Sequence, residues 1–245
     1  MRCPFCNTWR FSQAGTRTYY VSPEDLVRAA LQKGAGGVAF GVNEAVLDLE
    51  YIIDAAPLFH EAGLFVIMAT NGFIQPAPLF EVLAYTDAVI VGIKGMNDKL
   101  HEKICGGSRR EIFNNIISMN IKTHLEISVI IIREKNDNEK EFEEFLHWVS
   151  SIQPEPPPFH LWQYRPAFQY SAPATDPMSM FYLQEKARRI LPYVYLSNMV
   201  EQEANITYCP SCRLALIMRR EGLIDMTKLE ERKCKSCGKE IPLIL

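Results

Sequence analysis

The 245-residue sequence contains no apolar run of membrane-spanning length. A spanning helix needs about 20 such residues, and the longest runs here, residues 64–69 and 127–132, are strand-sized. An excess of either charge is also missing. Lys plus Arg total 26 and Asp plus Glu total 29, for a net charge of -3. Bulk electrostatics therefore draws the chain neither to nucleic acid nor to an anionic membrane. The start, Met1-Arg2-Cys3-Pro4, lacks the apolar core of a secretory signal. No fixed-period repeat and no low-complexity tract is present. A composition of 48% hydrophobic and 22% charged residues excludes a disordered chain. The length suits one large domain, alone or with a small appendage. The expected location is the reducing cytosol, the cytoplasm, where clustered cysteines serve metal chemistry more often than disulfides.

Seven cysteines fall into two clusters and one leftover. Cys3 and Cys6 open the chain. Cys209, Cys212, Cys234 and Cys237 form two C-x2-C knuckles with 21 residues between them. Each i, i+3 thiol pair can turn both sulfurs inward, and two such knuckles close a tetrahedral site. A closed four-thiolate set favours zinc, with an iron-sulfur cluster as the alternative. With every position filled by protein, the site is expected to be structural, stabilising a tail too short to build its own core. Cys105 reads as an isolated buried or partly buried thiol.

Between the clusters, strands alternate with helices. Ser22-Pro23-Glu24-Asp25 is a helix start, with Ser as N-cap, Pro in the first turn and acids at the positive end of the dipole. That helix is expected to stop at Gly34. Strands are expected at residues 37–42, 64–70, 88–93, 124–132, 159–164 and 193–196, and helices at 46–59, 109–119, 139–151 and 178–190. Pro57 is expected to kink or shorten the second of the five helices, and the prolines of 154–158 make a loop. Near-continuous apolar strands alternating with helices imply a parallel sheet or barrel, with the chemistry at the strands' C-terminal ends. Polar residues do come after the strands: Asn43 and Glu44, then Asn71, then Lys94. In the strand from His124, the polar positions His124, Glu126 and Ser128 alternate with apolar ones, so that polar set faces one way and would line a barrel interior. Any one of these could be an ordinary loop residue or cap, but the recurrence over four strands favours a functional rim.

Cys3-Pro4-Phe5-Cys6 resembles the end of the radical S-adenosylmethionine (SAM) motif C-x3-C-x-Φ-C, with Phe5 as the aromatic Φ. The segment Cys6-Asn7-Thr8-Trp9-Arg10-Phe11-Ser12-Gln13 resembles the stretch after the cluster loop in the radical SAM enzyme of the AmmeMemoRadiSam system, a relative of the pyruvate formate-lyase activating enzymes. Val42-Asn43-Glu44, Thr70-Asn71-Gly72-Phe73, Ile93-Lys94-Gly95, Asn136-Asp137, Tyr195-Leu196-Ser197-Asn198 and the terminal four-cysteine segment resemble its later motifs. The match is spread over nearly the whole chain.

The resemblance implies an α/β fold: a partial (β/α) radical SAM barrel lacking its first strand over residues 1–200, with a zinc-ribbon-like module at 201–245. It implies an enzyme that holds a 4Fe-4S cluster and reductively cleaves SAM to a 5′-deoxyadenosyl radical, which abstracts hydrogen from a substrate. Cys3 and Cys6 would be two cluster ligands, and Phe5 would pack near the adenine. Asn43 and Glu44 would hold the methionine amino group. Asn71, Lys94, Glu126 and His160 would contact SAM or substrate, although His160 reads equally well as a packed strand residue. The implied partners are an unidentified substrate, with a protein among the options, and an electron donor such as flavodoxin or ferredoxin.

The departures from the family pattern are specific. The family's first cluster cysteine would fall two positions before Met1, so the chain is expected to be N-terminally truncated or wrongly started. Ala45 stands where the family has Pro, Gly92 where it has Asp, and Gln163 where a basic residue is usual. Two rivals arise from these departures and the cysteine tail: a truncated or degenerate non-catalytic homologue, supported by the absent cysteine, and a zinc-binding interaction protein on a barrel scaffold, in which the strand-end motifs have no role.

Overall fold

A computed structural model describes residues 1–95, 98–199, 205–220 and 223–243. Six strands form one sheet: β1 (Gly37–Phe40), β2 (Phe65–Thr70), β3 (Ala88–Ile93), β4 (His124–Ile131), β5 (Phe159–Gln163) and β6 (Val194–Ser197). Every pairing is parallel and the spatial order is the chain order. A doubly wound sheet would reverse direction partway. This one continues, so it forms an arc of barrel type, with β1 and β6 at its open edges.

The alternation along β4 explains which side is covered. Leu125, Ile127, Val129 and Ile131 are buried, whereas His124, Glu126, Ser128 and Ile130 are partly exposed. Period-2 side chains send the first set against the helices and the second into the hollow of the arc. The helices are α1 (Trp9–Ser12), α2 (Pro23–Gln32), α3 (Leu49–Glu61), α4 (Pro76–Leu83), α5 (Arg109–Lys122), α6 (Glu139–Ser150) and α7 (Pro177–Arg188). Ser22, Ser108, Asn138 and Asp176 each accept an N–H of the first turn. Such a cap contributes about 1 kcal/mol. Among the described residues no helix is long and apolar enough to cross a membrane.

Several local expectations are corrected. β1 stops at Phe40, where its pairing with Met68 ends, and Val42 beyond it is 61% exposed with nothing to pack on. Gly37 is needed in β1, because a Cβ there would come within 2.6 Å of the Phe65 carbonyl oxygen. Pro57 does not shorten α3, which runs on to Glu61. The buried face of Ile52, Ala55, Ala56 and Phe59 holds the helix past it. No helix was expected at α4: Pro76 and Pro78 look like breakers but lie in the first turn, where no intrahelical N–H is required. A π-helix over Lys99–Cys105 was also unforeseen; it ends at Gly106, with φ of +72°.

The C-terminal segment forms a three-stranded antiparallel sheet, β7 (Thr207–Tyr208), β8 (Ala215–Arg220) and β9 (Leu223–Asp225), and a two-stranded one, β10 (Leu229–Glu230) and β11 (Lys233–Cys234). Its small core contains Leu216, Ile217, Leu229 and Ile241, and it shares Tyr193 with the chain entering β6. The expected domain boundary, between 200 and 201, lies outside the described residues.

Candidate active site

The first two cysteines sit on one turn at the C-terminal rim of the sheet. The Cys6 N–H donates to the Cys3 carbonyl at 3.2 Å, the Gln13 side chain donates to the same oxygen at 3.2 Å, and the Gln169 N–H donates to the Pro4 carbonyl at 2.9 Å. Phe5 is buried and lies edge-on to Tyr170, with ring centroids 6.3 Å apart. The Arg2 N–H donates to the Cys105 carbonyl at 2.9 Å. Cys105 is therefore buried but not isolated, because the π-helix brings it into one apolar cluster with Cys3, Phe5, Leu100, Ile132 and Tyr164. A hydrogen bond from Cys105, helped by the Lys94 charge, outweighs burial and lowers the Cys3 thiol below its ordinary value. The same hydrogen bond and burial push the Cys105 thiol up. Sequence spacing carries no signal for this pairing, since 102 positions separate the two thiols. The Cys6 sulfur lies 3.4 Å from both the Thr8 and the Ser12 hydroxyl oxygens.

The next strand ends converge on the same rim. The Glu44 carboxylate accepts the Thr70 hydroxyl and, at 2.9 Å, the Asn71 N–H. The Asn71 side-chain oxygen accepts the Phe73 N–H at 2.8 Å, which shapes the loop after β2. Asn43 is exposed beside them. Lys94 comes directly after β3, and its ammonium lies over Gly92, where an added Cβ would be only 2.9 Å from Nζ. The small residue at 92 thus makes room for this lysine. Asn136 is buried and braces the rim: its side chain donates to the Lys94 and Ile130 carbonyls at 3.2 and 2.6 Å and accepts the Ile132 N–H at 2.7 Å. Gln163 is buried and donates to the Thr175 carbonyl at 2.7 Å, and the basic Arg165 lies 3.5 Å from its oxygen.

Glu126 and His160 lie apart from that rim, in the hollow of the arc. His160 Nε2 is 2.7 Å from one Glu126 oxygen, and His124 Nε2 is 3.3 Å from the other. Ser128 pairs with His160 and His160 with Tyr195 across β4, β5 and β6, and Tyr195 stacks on His160 at 5.1 Å. Burial alone would raise the Glu126 carboxyl, but the two histidines overcome it and hold it at about 2. His124 was visible in the sequence only as one of the polar alternating positions.

The four C-terminal sulfurs all lie within 4.8 Å of one another. Cys209 and Cys237 are 3.5 Å apart, and Cys212 and Cys234 3.6 Å. A zinc ion with bonds of about 2.3 Å to four thiolates requires sulfur separations near 3.8 Å, so this donor set fits zinc. The turns are built for it: the Arg213 N–H donates to the Cys209 carbonyl at 2.9 Å and the Gly238 N–H to the Cys234 carbonyl at 2.8 Å. Among the described residues this is the one group of three or more such donors close enough to share an ion. The N-terminal thiols fit a cluster in part, with two on a single tight turn and Cys105 against one of them.

Comparison with known proteins bears on the rim. A family model described as the radical SAM superfamily matches residues 1–149. An uncharacterized protein of Methanocaldococcus jannaschii, MJ0808, is 27% identical over 255 residues, covering 100% of this chain and 75% of that protein. The pyruvate formate-lyase 1-activating enzyme of Escherichia coli K12 is 28% identical over 144 residues; the match covers 53% of this chain and 57% of the enzyme. Among solved structures, a domain of a pyruvate-formate lyase-activating enzyme from Bacteroides vulgatus superposes with a TM-score of 0.55 at 20% identity, over 67% of this chain and 100% of that one. Streptococcus suis SuiB bound to S-adenosylmethionine superposes with a TM-score of 0.58 at 13% identity, over 82% of this chain and 46% of that one. At these identities the two structures show a shared fold.

Proposed function

The chain belongs to the radical SAM superfamily, a family of enzymes, and on that premise we propose that it binds SAM and a 4Fe-4S cluster at the C-terminal rim of the sheet and uses them to abstract hydrogen from a substrate. The observation that supports this reading is that the Cys3–Cys6 turn, packed against Ile132 and Tyr164 just past β4 and β5, and the Glu44–Thr70–Asn71 group past β1 and β2 both lie at the C-terminal ends of the parallel strands, where such folds keep their chemistry. Cys3 and Cys6 would hold the cluster, with Cys105 the thiol nearest to hand for a further position. When bound, the cluster supplies the electron that cleaves SAM. The chain's own residues hold and shield. Phe5, Ile132 and Tyr164 keep water from one side of the thiol turn. Glu44 retains free lone pairs for the methionine ammonium, and Asn43 stands beside it. Asn71 sets the loop, and the Lys94 ammonium presents a positive charge to a carboxylate. Glu126 and His160 lie apart from this rim, paired with each other in the hollow, so no contact with SAM is proposed for them.

By analogy with the relatives named as activating enzymes of pyruvate formate-lyase, the substrate would be a protein or peptide; the family resemblance implies a flavodoxin or ferredoxin as reductant, in the cytoplasm. The zinc proposed at Cys209, Cys212, Cys234 and Cys237 would be structural. Anaerobic reconstitution with iron and sulfide, reduction with dithionite and quantification of 5′-deoxyadenosine and methionine is the test. Equal amounts of the two products, lost in Cys3→Ser and Cys6→Ser, are expected. Product formation unchanged in both variants would remove the N-terminal turn from the chemistry.

A further inference from the structure

A cavity of about 520 Å³ lies between the hollow face of the sheet and the C-terminal module, within the size range of small-molecule sites. Its upper wall is the N-terminal half of the strands, including Phe65, Ile67 and Ile90, and its floor is the module, through Thr207, Arg219 and Leu243. Ile90 is four residues before Lys94, so this part of the wall lies roughly 13 Å along β3 from the lysine at the rim. The cavity therefore lies mainly toward the end of the strands opposite the proposed SAM site, reaching the C-terminal end of a strand at Ser197.

The wall is apolar and uncovered. Phe65 is 41% exposed and Ile90 37% exposed, and both line the cavity. The charges that line the cavity are unevenly matched. Glu126 is held by His124 and His160. Asp87 sits 2.9 Å from His60 Nε2 and accepts the Val66 N–H at 2.7 Å. Arg219 has only neutral acceptors, the Asn205 carbonyl at 3.0 Å and the Thr207 hydroxyl at 3.1 Å, and its guanidinium lies 5.8 Å from the centre of the Tyr195 ring. Among the described residues it forms no ion pair. Thr207 in turn lies 3.0 Å from the Tyr195 hydroxyl, so the guanidinium is fixed to the barrel wall as well as to the module.

Both carboxylates already have hydrogen-bond partners within the wall, and the charge without an ionic partner is a guanidinium, whose planar fork suits a carboxylate. We propose that this cavity binds a small carboxylate with an apolar body, the head on Arg219 and the body along Phe65, Ile67 and Ile90. The module is then a wall of a ligand site as well as a metal-bound tail. Arg219 stands on β8 and Thr207 on β7, and both strands belong to the fold that the four cysteines would hold. The site needs neither cluster nor SAM, so its test is independent of the radical chemistry.

The full chain, without iron or SAM, is titrated calorimetrically with 4-phenylbutyrate, 4-phenylbutanol and 4-phenylbutylamine, three probes with one body and different heads. The carboxylate is expected to bind about tenfold more tightly than the alcohol, and the amine more weakly than either. Arg219→Gln should bring the carboxylate down to the alcohol's affinity while leaving the alcohol unchanged. Ile67→Trp, which fills the cavity without touching a charge, should abolish binding of all three. Nuclear Overhauser contacts from the phenyl ring to the Ile67 and Ile90 methyls of the unaltered chain locate the ligand even if a variant misfolds. No binding, equal affinity for the three heads, or phenyl contacts elsewhere would each overturn the proposal.

Discussion

Two carboxylates in this fold show how neighbours decide what one residue type does. Glu44 already accepts the Thr70 hydroxyl and the Asn71 N–H, which fixes its direction and leaves about two of its four lone-pair sites. If it receives the SAM ammonium, Glu44→Gln should weaken SAM binding about tenfold or more while iron content and cluster absorbance stay unchanged. Equilibrium dialysis of SAM against the reconstituted variant reads this directly, and unaltered affinity would remove Glu44 from the site. Glu126 is held at about 2, below its ordinary 4.5, because hydrogen bonds and charge from His124 and His160 exceed the cost of burial. A depressed folded value means that the unfolded chain takes up the proton first. The contribution is therefore complete above 4.5 and is lost as pH falls towards 2. Urea stability measured across that interval should fall less steeply in Glu126→Gln than in the parent. Parallel slopes would show that the histidine pair does not hold the carboxylate. The two glutamates were both legible as polar strand-end or alternating positions. Their separation into a rim group and a cavity group was not, because it depends on which end of the sheet each partner reaches.

At the scale of elements, most strands and capped helices could be read directly, since period-2 alternation and Ser or Asn caps are local signals. The misreadings all involve proline or a tertiary contact. Pro57 is exposed in the middle of α3, and the helix persists because Ile52, Ala55, Ala56 and Phe59 are fully buried. Proline there leaves a carbonyl without its N–H partner. Pro57→Ala restores that bond and should raise the unfolding free energy by about 1–3 kcal/mol, read from the urea midpoint. A lower midpoint would mean that the ring packs usefully against its neighbours. The π-helix over Lys99–Cys105 has no recognisable sequence signature. It places Leu100 and Cys105 in the cluster around Cys3, and that long-range packing selects it.

For the molecule as a whole, the C-terminal module is the part whose stability is set by metal. Its core is small and borrows Tyr193 from the barrel, too little apolar surface to order the described residues 205–220 and 223–243 without a further tie. The chain as purified should carry one zinc. Cys234→Ser should release it, loosen β7–β11 and leave the parallel sheet and its helices folded. Elemental analysis together with near- and far-ultraviolet circular dichroism measures each part. A metal-free chain with an ordered module would refute the assignment.

The sequence alone determined the alternating α/β plan, the two cysteine clusters and the polar residues at successive strand ends, because each is written in local periodicity or short spacing. Resemblance across those motifs extended the reading to the radical SAM superfamily, which the family match then established. Only the tertiary structure decided that Cys105 meets Cys3, that Glu126 binds two histidines away from the thiol rim, and that the module closes a cavity against the barrel. Those are contacts between residues far apart in the chain. They depend on how the sheet curves and where the loops return, and no local pattern of side chains encodes either.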